Sequence, residues 1–212
     1  MRYYIADCHF FHEALNREMD HRGFASVEEM NEYMIKRWNE KVRNRDEVVI
    51  LGDLSMGNAE QTNALLDRLQ GKLFLIVGNH DNRYLRSKTF HKERFGWIYP
   101  YAELHDDGRK VVLSHYPIAC YNGQYLKNKK GEPRTYMLYG HVHDSHDERL
   151  IEQYQQMVEK TRIPDRDGGT QALSSHMINC FCMYSDYQPL SLDEWIALTK
   201  QRLIRCQNVE DS

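Results

Sequence analysis

The stretch Leu73-Phe74-Leu75-Ile76-Val77-Gly78-Asn79-His80-Asp81 decides the fold. Its five apolar residues run without a polar break, the pattern of a strand buried on both faces of its sheet. The run ends at a glycine and opens into an amide, an imidazole and a carboxylate. The same arrangement recurs along the chain. Val48-Val49-Ile50-Leu51 leads to Gly52-Asp53, and Tyr3-Tyr4-Ile5-Ala6 leads to Asp7-Cys8-His9. Lys110-Val111-Val112-Leu113 leads to Ser114-His115, and Tyr136-Met137-Leu138-Tyr139 leads to Gly140-His141-Val142-His143. In open α/β sheets, ligands collect outside the carboxyl ends of the strands. Every chemistry-bearing cluster here sits at such an end.

Helices fill the intervals. Ser26 and Glu29 form a capping-box pattern, and Val27, Met30, Met34, Trp38 and Val42 follow at helical spacing, which predicts a helix over 27–42. A second helix is predicted over 59–69, with Leu65, Leu66 and Leu69 inward and Gly71 just past its end. Ser191 and Glu194 open a final helix through about Arg205, with Trp195, Leu198 and Leu203 as apolar contacts. Met177 to Met183 reads as a further strand. Strands alternate with helices first and are joined by loops later, so the fold class is α/β with a mixed sheet or two. At 212 residues the chain is long enough for one domain, 1–212, with a substantial core. Residues 144–175 form an insertion between two strand candidates, with a polar helix over Glu148–Thr161 and a turn-rich loop at Pro164–Gly169. Such insertions serve as lids or as partner surfaces.

Composition narrows the function classes. The net charge of -3 gives no global attraction to nucleic acid or anionic membrane. No apolar run is long enough to span a bilayer, and the N-terminus lacks the apolar stretch of a signal peptide. Five Cys without a CxxC pair suit a reduced, cytoplasmic protein. Nothing in the sequence fixes the oligomeric state.

Asp and Asn oxygens together with several imidazoles, and no Cys cluster, suit a pair of borderline divalent metals better than one tetrahedral structural zinc. In a strand, residues two apart share a face. Asp7 and His9 then reach one metal together while Cys8 points into the core, and His141 and His143 repeat that spacing. Any one motif alone reads as a turn Asp or a satisfied polar His. Their joint occurrence in this order is what argues for metal.

The order Asp7-x-His9, Gly52-Asp53, Gly78-Asn79-His80-Asp81, His115, Gly140-His141-x-His143 resembles the calcineurin-like metallophosphoesterase superfamily and fills its signature positions over about two thirds of the chain. The resemblance implies two mixed β-sheets packed as a sandwich flanked by helices. It implies one metal on Asp7, His9, Asp53 and His143, and a second on Asp53, Asn79, His115 and His141, with Asp53 as the bridge. The cofactors would be two divalent ions among Mn, Fe, Zn, Ni and Co. It implies hydrolysis of a small, nucleotide-sized phosphodiester or phosphomonoester by a hydroxide shared between the metals. His80 would be the catalytic acid. Asp81 either orients His80 or caps the local turn. His12 and Arg83 are candidate substrate contacts, each balanced by a bland surface reading, and so are Arg86 and the basic loop Lys127–Arg134. His146 and His176 stand outside the ligand set. The longer stretches, including Ile5–His12 and Ser114-His115-Tyr116-Pro117, resemble a small bacterial and phage subgroup in which the Phe11 position is commonly Gly. A bulky Phe11 would narrow the approach to the metals. Protein Ser/Thr phosphatases of the superfamily extend the second motif with a phosphate-gripping Arg, and Gly52-Asp53-Leu54-Ser55-Met56-Gly57 lacks it. A catalytically weak scaffold of the same fold is the alternative. A nuclease in a larger complex is disfavoured by the acidic balance.

Overall fold

The computed structural model describes residues 1–164 and 168–210, with side chains described through Ile204. The first half alternates β1 (Arg2–Ile5), α1 (Val27–Lys41), β2 (Glu47–Ile50), α2 (Ala59–Arg68), β3 (Lys72–Ile76), the short α3 (Asn82–Leu85) and β4 (Phe95–Tyr99). These strands form one sheet in the order β1-β2-β3-β4, every pair parallel. The chain then changes sheets at Pro100. It continues through β5 (Tyr101–Asp106), β6 (Arg109–Ser114), β7 (Thr135–Tyr139), α4 (His146–Lys160), the hairpin β8 (Arg162–Pro164) and β9 (Thr170–Ala172), β10 (Met177–Asn179) and α5 (Leu192–Glu210). The second sheet runs β10-β7-β6-β5 and is mixed, with β5 antiparallel to β6. An antiparallel bridge from Leu190 to Tyr4 adds that direction to the first sheet.

Two-residue periodicity explains why the strands carry no polar break. Tyr3 and Ile5, with Val48, Ile50, Leu73 and Leu75, face Met30, Met34 and Trp38 of α1 and Leu65 and Leu66 of α2. The intervening Tyr4, Val49, Leu51 and Ile76 face Val111, Leu113, Leu138 and Ile178 of the second sheet, with Trp195 of α5 closing that layer. The outer face of the second sheet packs Met137, Tyr139 and Met177 toward Ile151 and Tyr154 of α4. The result is a helix–sheet–sheet–helix sandwich. Each large buried side chain contributes about 1.5–3 kcal/mol by leaving water.

The helix signals act as read. Ser26 Oγ accepts from Glu29 N–H at 3.1 Å, and Asn58 with Gln61 forms a complete capping box on α2. Two elements depart from the sequence reading. The segment 95–106, to which the sequence reading assigns no element, is two strands. Gly96 is needed because a Cβ there would stand 2.3 Å from the ring of Phe74. The strand expected over 177–183 stops at Asn179, and Cys182–Ser185 forms a 3-10 turn instead. Of the turn-rich loop expected at 164–169, residues 165–167 lie outside the described residues.

Candidate metal centre

Five candidate clusters arrive from the carboxyl ends of β1, β2, β3, β6 and β7. They meet because the backbone leaves the strands abruptly. Asp7, His9, Asp53, His141 and His143 all have positive φ, at 55°, 48°, 53°, 72° and 50°. Non-glycine residues occupy that region at a cost, and such strain concentrates at functional sites. Asp7 and His9 thus converge, as their spacing suggested, but through left-handed turns rather than the strand pleat. Cys8 between them is buried in the core beneath α1.

The motif glycines provide the close approach. A Cβ on Gly78 would lie 2.3 Å from Asp53 Oδ1, one on Gly140 2.5 Å from Asp7 Oδ2, and one on Gly52 2.3 Å from His115 Nδ1. Each glycine therefore makes room for a functional side chain from a different motif.

The donor atoms form two adjoining groups. In the first, His9 Nε2 lies 3.2 Å from His143 Nε2 and 3.5 Å from Asp53 Oδ2. Asp7, His9 and His143 each offer one ligand atom, and these atoms lie within 4.8 Å of one another. In the second, His115 Nε2 lies 2.9 Å from Asn79 Oδ1 and 3.4 Å from Asp53 Oδ2, and His141 Nδ1 lies 3.0 Å from the same Asn79 oxygen. Asp7, Asp53 and His115 also form a group able to hold a cation. His115 Nδ1 donates to Leu51 O at 2.8 Å, so the Nε2 lone pair of the neutral ring faces two oxygen acceptors. That arrangement is repulsive unless a proton or a cation stands between them. Among the described residues, buried His9 Nδ1 has no hydrogen-bond partner. The donor set of imidazole nitrogens, carboxylates and one amide oxygen fits borderline divalent ions.

The electrostatics carry the same signature. Burial pushes Asp7 up to about 6, against the pull of His143 and His115. Burial would lower His115, but hydrogen bonding to Asp53 and the charges of Asp7 and Asp53 raise it to about 9. Burial would likewise raise Asp53, yet His115, His9 and the His80 N–H hold it down to about 2. His9 is driven well below its ordinary value by burial. A proton on His115 thus occupies the place a cation would take.

His80 donates its backbone N–H to Asp53 Oδ1 at 2.9 Å and leaves its ring half-exposed over the cleft, with Nε2 4.0 Å from Asp53 Oδ2. Asp81 is buried. Its Oδ2 accepts from the N–H groups of Asp53 and Gly78, and its Oδ1 accepts from Leu54 N–H and the Tyr84 hydroxyl, at 2.7–3.0 Å. Of the two readings for Asp81, this geometry supports the one that fixes the turn. His12 lines the cleft 5.6 Å from His9 between ring centroids, and its Nδ1 accepts from Leu15 N–H.

Several sequence expectations fall elsewhere. Arg83 is exposed on α3 and does not line the cleft. The basic loop Lys127–Arg134 also stays away, with Lys127 near His176 instead. Phe11 does not narrow the approach. Its φ of 66° turns it into a groove with Asn31, Ile35 and Leu65, between α1 and α2. Its backbone N–H is held by Asn31 Oδ1 at 3.0 Å.

Two residues without a motif complete the site. A π-helix over Leu15–Met19 brings Leu15 and Met19 to the cleft and ends at Asp20. Asp20 Oδ1 lies 2.8 Å from His143 Nδ1, and its Oδ2 accepts from Arg22 Nη2 at 2.9 Å. The Arg22 side chain is fully buried and donates to Cys8 O and Asp7 O at 2.7 and 3.1 Å. Burial would lower His143, but the hydrogen bond to Asp20 raises it. Asp-His-Arg is too short a span for any periodic signal, so only the fold reveals the pair.

The family model described as calcineurin-like phosphoesterase matches residues 3–193, and the chain belongs to that family. Its relatives include "Uncharacterized protein MJ1445" of Methanocaldococcus jannaschii, 31% identical over 209 residues covering 97% of this chain and 96% of that one. "Gene 66 protein" of Mycobacterium phage L5 is 28% identical over 167 residues, 66% of this chain and 76% of its own length. The crystal structure of a protein of unknown function, AQ665 from Aquifex aeolicus, superposes with a TM-score of 0.63 at 22% identity, covering 93% of this chain and 98% of that one, a likeness of fold. Among the described residues no helix is long and apolar enough to cross a membrane.

Proposed function

We propose that the protein hydrolyses small phosphoesters with two divalent transition-metal ions. Asp7, His9, Asp53 and His143 would hold one ion, and Asp53, Asn79, His115 and His141 the other. The observation that carries this reading is the position of Asp53 Oδ2, 3.5 Å from His9 Nε2 and 3.4 Å from His115 Nε2, between the two donor groups. Asp7 is the rival bridge, since it belongs to both convergent groups. However, both of its oxygens accept from His141 N–H at 3.0 Å, and the nearer nitrogen of His115 is already donating to Leu51. These contacts favour Asp53 over Asp7 as the shared ligand.

When bound, two such ions lower the pKa of a water and neutralise charge on the phosphoryl group. The chain's residues supply the rest. His80 stands at the open side of the donor groups, where a protonated imidazole can hand its proton to the departing ester oxygen. Asp81 keeps the backbone of Gly78, Asp53 and Leu54 in register, so that Asn79 and Asp53 meet. His12, beside His9, is placed to donate to a phosphoryl oxygen. All seven ligand positions and His80 are filled, which supports catalysis over a scaffold role.

The test is hydrolysis of p-nitrophenyl esters by Mn-loaded protein, with and without chelator. Activity that a chelator abolishes supports the reading. No hydrolysis of any phosphoester by metal-loaded protein contradicts it.

A further inference from the structure

The cleft over the donor atoms, about 430 Å³, has a one-sided charge. Beyond the proposed ligands and His80, the lining comprises His12, the apolar Leu15, Met19 and Val142, Asp20, whose carboxylate is engaged by His143 and Arg22, and Asp144, Ser145 and Asp147. Among the described residues no Lys or Arg lines it. Arg22 lies behind His143 with its donors engaged by Asp20, Cys8 O and Asp7 O. Arg83 points to solvent outside the cleft. The Asp144 carboxylate is held at the rim by the Tyr184 hydroxyl at 3.1 Å. Ser145 caps Asp147 N–H at the start of α4, on the same rim.

A phosphomonoester carries close to two charges above its second pKa, about 6, whereas a phosphodiester carries one. Both esters would share the neutralisation that bound ions supply, so the difference between them lies in how the rest of the cleft meets the second charge. Here that charge meets two carboxylates in a partly enclosed cleft. Rim charges of this kind act as repulsive elements that set specificity.

We infer that this cleft selects phosphodiesters over phosphomonoesters, and that the ester arm kept by the product is neutral or cationic, lying between the Leu15–Met19 wall and the Asp144–Asp147 rim. The inference rests on the phosphoesterase reading and sharpens it. In the reaction, the oxygen of water bonds to phosphorus, one P–O ester bond breaks, and the departing alcohol takes a proton. The products are that alcohol and a phosphomonoester. The monoester ionises further on leaving, and the same carboxylates that disfavour its entry favour its release.

Two measurements on Mn-loaded protein test this. First, kcat/KM is compared for bis(p-nitrophenyl) phosphate and p-nitrophenyl phosphate, with the diester expected ahead. Second, calorimetry at pH 8 compares binding of phenylphosphonate, a dianion, with its monoanionic methyl ester. In Asp144→Asn/Asp147→Asn, both the monoester-to-diester kcat/KM ratio and the dianion-to-monoanion affinity ratio should rise about three- to tenfold. Both positions are exposed, so the variant keeps the fold. Metal uptake with the monoester cleaved faster by wild type, or neither ratio moving in the variant, overturns the inference and leaves the phosphoesterase reading standing. Absence of both metal uptake and hydrolysis removes that reading and the inference with it.

Discussion

Asp20→Asn probes the part of the site that no motif announces. The Asp20 carboxylate sits between His143 Nδ1 at 2.8 Å and the Arg22 guanidinium at 2.9 and 3.1 Å, with a side chain only 8% exposed. Its bond to Nδ1 keeps the proton there and leaves His143 Nε2 directed at the donor group. Carboxylates behind metal-ligating histidines typically account for roughly 10–100-fold in metal affinity. That factor corresponds to about 1.4–2.8 kcal/mol. The asparagine is nearly isosteric but neutral. It can still accept one hydrogen bond, while buried Arg22 loses its ionic partner and keeps only carbonyl oxygens. Metal affinity should therefore fall within that range, and the metal-free protein should also melt earlier. Competition against a chelating dye, run beside thermal melts of the metal-free form, separates the two effects. Metal affinity within about threefold of wild type would refute the proposed role of Asp20 in fixing His143.

Three further outcomes are expected. His80→Asn should retain its metals and lose roughly 10²–10⁴ in kcat, less for a good leaving group such as p-nitrophenol than for a poor alkoxide; equal losses would mean that His80 positions phosphate instead. Gly78→Ala should displace Asp53, because the new methyl would stand 2.3 Å from Oδ1, and metal content measured by elemental analysis should drop while circular dichroism stays near wild type. Glu148, a buried residue of α4 that accepts from the Tyr139 hydroxyl at 2.8 Å, is pushed up to about 7 by burial, against Tyr139 and Arg202. The unfolded chain releases that proton near pH ~4.3, so between there and pH 7 the folded state holds more protons and stability falls as pH rises. Glu148→Gln removes this dependence. Denaturant unfolding should therefore show the variant gaining on wild type from pH 5 to pH 7, by about 3 kcal/mol at most; a constant difference would contradict the buried, protonated state.

The sequence was most legible where backbone and chemistry coincide. β2, β3, β6 and β7 are uninterrupted apolar runs because both faces of each strand are covered, and each ends in its motif. Helix starts were equally plain at Ser26 and Ser191, where capping is local. What depended on backbone direction was not legible. Phe11 and His9 both have positive φ, and that feature sends one side chain under the helices and the other into the metal cluster. β4 and β5 were hidden by Gly96 and Pro100, whose roles are a ring contact with Phe74 and the passage between sheets. Asp20 and Arg22 carry no sequence signal of their role, since their partners, His143 and the carbonyls of Asp7 and Cys8, are distant or backbone atoms. Arg83 followed the third motif closely in sequence, but α3 carries it away from the cleft.

The central claim is that Asp53 joins two cation sites. Elemental analysis of wild type and Asp53→Asn, each purified in parallel and reloaded with Mn, tests it most directly. The expected result is close to two ions per chain in wild type, with both lost or greatly weakened in the variant, because one side chain serves both donor groups. Two ions retained in Asp53→Asn, or none taken up by wild type, would contradict it.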